Sequence, residues 1–377
     1  MVFRAMLLDA YRQLSAAKLF WLIMGLSLVV VTLYASVGFD DTGIFLFFGL
    51  THIESELLVA GSPWARGLYV GIYSSFLVPI WLAWIATILA LISTCTIFPE
   101  FVHSGAIELT LAKPIGRLRL FLMKYGVSLL FVILQVLVFC IGIFFCVGLR
   151  MGEWNWTIFA AVPIVAIFFS YLFAVCSLVG MVTRSGITAL LVTVVFWMGL
   201  WSAQTAEMVL NSEITKQQVT LDRFAEDIEK EEAKLAAIME KSENDERIEG
   251  RKEHIESMKG DIGAARILMG KIDTWYIPVT WGLAVLPKTG QTIGLLDRWM
   301  SDQGGFNLAA IMRGEMELEE EMQEINPTSH RARNMETMSR LEDEYNSKSL
   351  WYVLGTSLLF EGFVLVICGW YFCRKDF

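Results

Sequence analysis

The sequence predicts an all-α, polytopic membrane protein with six transmembrane helices and an extracytoplasmic helical hairpin inserted between helices five and six. Three observations carry this. Of 377 residues, 55% are hydrophobic and only 18% are charged, against about 45–50% and about 25% in an ordinary soluble domain. Six stretches reach the about 20 mostly apolar residues that a crossing helix needs. The charge is also concentrated: residues 210–348 hold 28 Asp/Glu and 18 Lys/Arg, while the rest holds 11 and 12. A nearly neutral, apolar body thus carries one acidic insert. That excludes a secreted disulfide scaffold, a wholly soluble enzyme and a basic nucleic-acid-binding surface.

Taken in order, residues 2–18 place Phe3, Leu7, Tyr11 and Leu14 on one helical face, with Arg4 and Arg12 elsewhere. This is the pattern of an interfacial helix on the cytoplasmic leaflet, the alternative being an extension of the first span. The spans are read at 19–38, 73–98, 121–149, 157–182, 186–209 and 350–373. The apolar run after Lys18 is too long for a signal-peptide core and reads as an uncleaved anchor. Thr183-Arg184-Ser185-Gly186 makes a tight hairpin of spans four and five. With the N-terminus inside, ten of the twelve basic residues outside the insert fall on the cytoplasmic face, and only Arg66 and Arg150 on the other. Positive charge gathers on the cytoplasmic side, so both termini are expected there, in a multi-pass protein of the cytoplasmic membrane. The parts are residues 1–209, the insert 210–349 and the final span with its tail, 350–377.

Within the insert, Ile214, Leu221, Ile228 and Leu235 recur every seven residues, and after a polar break so do Ile248, Ile255, Ile262 and Met269. Two heptad stretches with a short turn predict an antiparallel coiled-coil hairpin over about 212–270, its seam flawed by Glu231. The aromatic, proline-broken stretch Trp275–Pro287 is too short to span and reads as a segment dipping into the outer leaflet. Residues 308–325 and 329–348 read either as two acidic helices separated by Asn326-Pro327 or as a solvated charge run.

Little in the chain signals catalysis. There is no phosphate-cradling G-x-x-x-x-G-K-[ST] loop, no H-E-x-x-H, no G-x-S-x-G and no C-x-x-C pair. The four histidines are scattered, and the six cysteines lie in or beside apolar runs, as small buried hydrophobes do. No enzyme activity and no cofactor of its own is therefore expected. The informative stretch is the cytoplasmic connection between spans two and three. It opens with Phe98-Pro99-Glu100 and continues through Ser104, Gly105 and Glu108 to Leu111, Lys113, Pro114 and Arg117. Ser104 can cap a short helix and Pro114 can end it. The ordinary alternative is an amphipathic loop.

Here the residues resemble a family. Glu100, Gly105, Glu108, Leu111, Lys113-Pro114-Ile115, Arg117 and Lys124 are similar in order to the coupling-helix region of type 2 ABC transporter permeases. The ending Phe372-Cys373-Arg374-Lys375-Asp376-Phe377 resembles that family's aromatic, basic, Asp-Phe terminus. Two features depart from it: Met123 stands where a glycine is frequent, and the 210–270 insert is unusually long. The resemblance implies a permease subunit working with a second permease copy, homodimeric or heterodimeric, on separately encoded ABC ATPase subunits that bind the ATP and Mg. It also implies that the 104–113 helix carries the ATPase motion to the spans. The hairpin would be available to an extracytoplasmic protein.

Glu361 lies near the middle of the sixth apolar run. An ionisable residue there is costly and is by default a functional candidate. The alternative is a protonated acid bonded to a neighbouring helix, with Gln135 as the suggested partner. Two further functions stay open: a membrane-anchored interaction protein working through its hairpin, and a secondary transporter using Glu361.

Overall fold

The computed structural model describes residues 18–103, 116–241, 247–301 and 330–374. The chain divides into two compact units. One comprises Met1–Trp201, Pro287–Met316 and Val353–Phe377, the other Ser202–Leu286 and Glu317–Tyr352. Among the described residues, five helical stretches are long and apolar enough to cross a membrane: Pro63–Glu100, Arg117–Met151, Trp156–Thr183, Gly186–Met239 and Trp351–Arg374. A shorter apolar helix covers Phe20–Ala35. By these helices the chain is a membrane protein.

In the first unit, α1 (Lys18–Ala35) ends three residues short of the expected span, where the Ser36 hydroxyl donates to the Leu33 carbonyl at 2.6 Å. Such local bonding competes with helix continuation. The next segment departs from an all-helical reading. β1 (Gly38–Asp40), β2 (Gly43–Leu46) and β3 (Thr51–Glu54) form an antiparallel sheet in that order, with Phe39 opposite Ile44 and Phe45 opposite His52. Its first turn is fixed by Asp40, whose Oδ1 accepts from the Thr42 amide, the Thr42 hydroxyl and the Gly43 amide at 2.8–2.9 Å. The Thr42 bonds, chiefly that from its amide, hold the Asp40 carboxyl below the usual range.

The second spanning stretch begins ten residues before its expected start. Ser62 caps α2 (Pro63–Ile72) by accepting from the Ala65 amide at 3.0 Å, and Pro63 fills the first turn, where no amide is needed. Tyr73–Ala86 is wound as a π-helix around Pro79, which lacks the amide for a normal rung. Then come α3 (Thr87–Thr94) and α4 (Ile97–His103).

α5 (Arg117–Met151) closes on Gly152, whose φ of 72° suits a left-handed cap. Asn155 caps the next stretch, which leads into α6 (Ala161–Thr183). Arg184, also left-handed, turns the chain straight into α7 (Gly186–Lys241). α8 (Arg247–Ala284) belongs to the second unit, and α9 (Thr289–Ser301) comes after it. α11 (Thr356–Arg374) is entered through a π-turn at Trp351–Gly355. α6 is the hub, packing against α5, α9 and α11, while α1 packs on α5. Its consecutive residues Phe168, Phe169, Ser170, Tyr171, Leu172 and Phe173 are all buried, as in a helix enclosed on every side.

The second unit holds the continuation of α7 from Ser202, together with α8 (Arg247–Ala284) and α10 (His330–Ser347). Ile228, Ile255 and Met258 form a small buried cluster with Phe224, Leu235 and Ile262 against it. Glu231, the flaw in the heptad seam, is paired with Arg251 of α8 and with Lys234. Those two cations, the Lys234 hydrogen bond first, hold its carboxyl below the usual range. α10 lies antiparallel to α7: Asn211 bonds Glu344, whereas Arg223 and Asp222 pair with Glu336 and Arg340, at 2.5–2.8 Å. Pro278 does not break its segment. α8 continues through it to Ala284, because one missing amide costs a single rung, and Trp275, Ile277, Trp281 and Val285 stand exposed along it. The helix expected at 308–325 and the interfacial helix expected at 2–18 lie outside the described residues.

Candidate functional site

Glu361 is the residue around which buried polar groups of the first unit assemble. It is 7% exposed on α11, with Ser357 one turn earlier on the same face. Tyr125 of α5 and Ser170 of α6 meet it. The Tyr125 hydroxyl lies 2.8 Å from Glu361 Oε1 and 2.8 Å from the Ser170 carbonyl oxygen. Ser170 Oγ lies 2.8 Å from Glu361 Oε2 and 2.7 Å from the Ile167 carbonyl oxygen. Each hydroxyl thus has two oxygen neighbours and one proton to give. With an ionised carboxylate, two protons would serve four contacts. A carboxylic acid supplies a third proton, so the arrangement accommodates the acid form of Glu361.

Gln135 is not the partner that the sequence suggested. It is buried on α5, ten residues beyond Tyr125, or about 15 Å along the helix. Its side-chain oxygen has no hydrogen-bond partner among the described residues.

A second polar group adjoins the same face of α11. Lys288 is buried; its amide donates to Ser357 Oγ at 2.9 Å and its ammonium to Thr356 Oγ1 at 2.7 Å. Tyr171 of α6 is buried as well, and its hydroxyl has no hydrogen-bond partner among the described residues. Sequence reasoning missed Tyr125, Ser170, Tyr171 and Lys288. The available signal was the presence of hydroxyl-bearing residues inside otherwise apolar runs.

Of the residues matched to a coupling helix, Glu100 is exposed on α4 and Arg117 opens α5. Gly105, Glu108, Leu111, Lys113 and Pro114 lie outside the described residues. The two flanks converge through aromatic rings: Phe98 is 5.3 Å from Phe121 and 6.1 Å from Phe173, and Phe121 is 6.0 Å from Phe372. The Arg117 guanidinium donates to the Cys373 carbonyl at 3.1 Å, joining the start of α5 to the end of α11. Phe121 is also 6.3 Å from the Tyr125 ring, one turn on. Among the described residues, no cluster of His, Cys, Asp and Glu could hold a metal ion. No protein-family model, curated protein or solved structure matches the chain.

Proposed function

We propose that the chain is the membrane-spanning permease subunit of an ATP-binding cassette transporter, with six spans and both termini cytoplasmic. It works on separately encoded ATPase subunits and beside a second permease. The observation that supports this is the packing of the flanks of residues 104–115. Phe98 on one side and Phe121 on the other share an aromatic cluster with α6 and α11, and that cluster leads through Tyr125 to Glu361. A push received at the connecting segment therefore reaches three helices at once, as an ATPase-driven cycle requires. The exposed Glu100 and the sequence position of Glu108 would rim the docking knob with negative charge.

The test is Glu108→Lys in full-length protein reconstituted with its ATPase. Stimulated ATP hydrolysis is expected to be lost, or the ATPase to detach, while the membrane part still elutes as folded protein. Normal stimulation in that variant would overturn the reading.

In this reading the charged faces of α7 and α8 beyond the membrane form an external docking arm for a protein partner. Cysteines placed at Ser242 or Asn244, in a background without native cysteines, are expected to react with a membrane-impermeant maleimide from the extracytoplasmic side. Labelling only after the cytoplasmic membrane is breached would put the arm inside.

The hydroxyl pair on Glu361 favours one second reading, a proton-coupled secondary transporter. Transport into liposomes driven by a proton gradient with no ATPase present would select it.

A further inference from the structure

We propose that the turn after β2, Phe47-Phe48-Gly49-Leu50, is a lipid anchor that seats in the membrane surface beside the end of α1. The backbone is the first observation. Phe47 and Phe48 have φ of 52° and 59°, and Gly49 comes next at 98°. Two successive bulky residues in the left-handed region are rare and disfavoured, and such conformations persist where the surrounding structure imposes them for a use. What imposes it here is the Phe48 amide donating to the Ser36 carbonyl at 3.1 Å, together with the β2–β3 pairing of Leu46 with Thr51.

The consequence for the side chains is the second observation. Phe47 and Phe48 are 53% and 65% exposed, and Leu50 is 87% exposed. From Gly43 to Thr51 there is no charged residue. A fold that spends backbone strain to hold two phenyl rings outward is not hiding them from anything it contains.

Position decides what covers them. Ser36 directly follows α1, so the bond to Phe48 brings the turn back to the level where that helix ends. The same level is marked independently. Arg150, at the end of α5, donates to the Ala35 carbonyl at 2.9 Å and lies 5.1 Å from the centre of the Phe45 ring. Glu153 just beyond it pairs with Arg66 near the start of α2, and Trp154 and Trp156 stand exposed nearby in sequence. Arginine, ion pairs and indoles at helix ends are the composition of a membrane–water boundary. Leu33, 53% exposed in the last turn of α1, continues the helix's outward apolar side toward the turn. The patch is thus an extension of a surface that already meets lipid, which identifies acyl chains and the headgroup boundary as its occupant. An anchor there would fix the depth and rotation of α1.

This rests on α1 being a span, as in the function proposed above, and the experiment separates the two. Single nitroxide labels are placed at Phe48→Cys, Leu50→Cys, Leu28→Cys and Asp41→Cys in full-length Cys373→Ser protein. The vesicles are phosphatidylcholine and phosphatidylglycerol, with the unlabelled-site parent as the blank. Relaxation by oxygen, which partitions into lipid, is compared with relaxation by a water-soluble nickel chelate. Labels at 48 and 50 are expected to show an oxygen-to-nickel ratio several-fold above that at 41 and to approach the ratio at 28. The Leu50 site, which has ordinary backbone angles, covers the case in which the strained Phe48 site does not tolerate cysteine. High nickel access at 48 and 50 with lipid-like values at 28 overturns the anchor alone. Shielding from both reagents at 48 and 50 means a protein contact and also overturns it. Water-like values at 28 overturn the anchor together with α1 as a span.

Discussion

Glutamine in place of Glu361 is expected to leave the protein inserted and folded, whereas alanine is expected to cost about 3 kcal/mol or more. The difference comes from proton accounting. Tyr125 and Ser170 each point at one carboxyl oxygen and one backbone carbonyl. Glutamine keeps the volume, one acceptor and a donor, so it imitates the acid form. Alanine removes both oxygens, leaves Tyr125 and Ser170 only their backbone acceptors and opens a cavity among α5, α6 and α11. Thermal unfolding of the detergent-solubilised variants gives the comparison. Equal losses for both substitutions would mean that the ionised carboxylate holds the helices together. No loss for alanine would mean that the cluster is incidental.

Phe121→Ala is expected to cost about 3–5 kcal/mol, the usual loss on deleting a fully buried phenyl ring. Phe121 is 1% exposed and is shared by Phe98, Tyr125 and Phe372. Beyond stability, the permease function proposed above has substrate-stimulated ATP hydrolysis fall in this variant while basal hydrolysis by the proposed ATPase partner persists. Phe121→Leu should restore most of the stability, because it refills most of the volume. A double-mutant cycle with Phe98→Ala sharpens the reading. Rings in contact give a coupling of about 0.5–3 kcal/mol, and simple additivity would show that the two flanks do not act as a unit.

What could be read in advance depended on how far apart the determining residues lie. The apolar runs identify their own helices, since about 20 residues without a charge leave few alternatives. The start at Pro63 was legible in Ser62-Pro63, but Arg66 interrupts the apolar run there, and a charge-free stretch does not signal a span until the residues beyond it. The sheet at 38–54 escaped because its strands are only three or four residues long. They also sit in an apolar stretch where strand alternation is hard to distinguish from the end of a span. Pro278 misled for the opposite reason: a proline signal is local, and the helix around it continued regardless. Glu361 could be singled out from its depth in the run, but its partners could not. They lie 236 and 191 residues earlier in the chain, and no periodicity links positions that distant.

That separation also constrains how the protein is made. Ribosomal synthesis delivers Tyr125 and Ser170 to the membrane long before the segment carrying Glu361 emerges. Alone, that segment carries an acid that the insertion machinery reads as a penalty; a comparable aspartate costs on the order of 3 kcal/mol at a helix centre. The earlier helices offer it two hydroxyls in place of lipid. In a bilayer, the Tyr125 and Ser170 hydroxyls that precede this acid in the chain would lower the cost of holding α11 there.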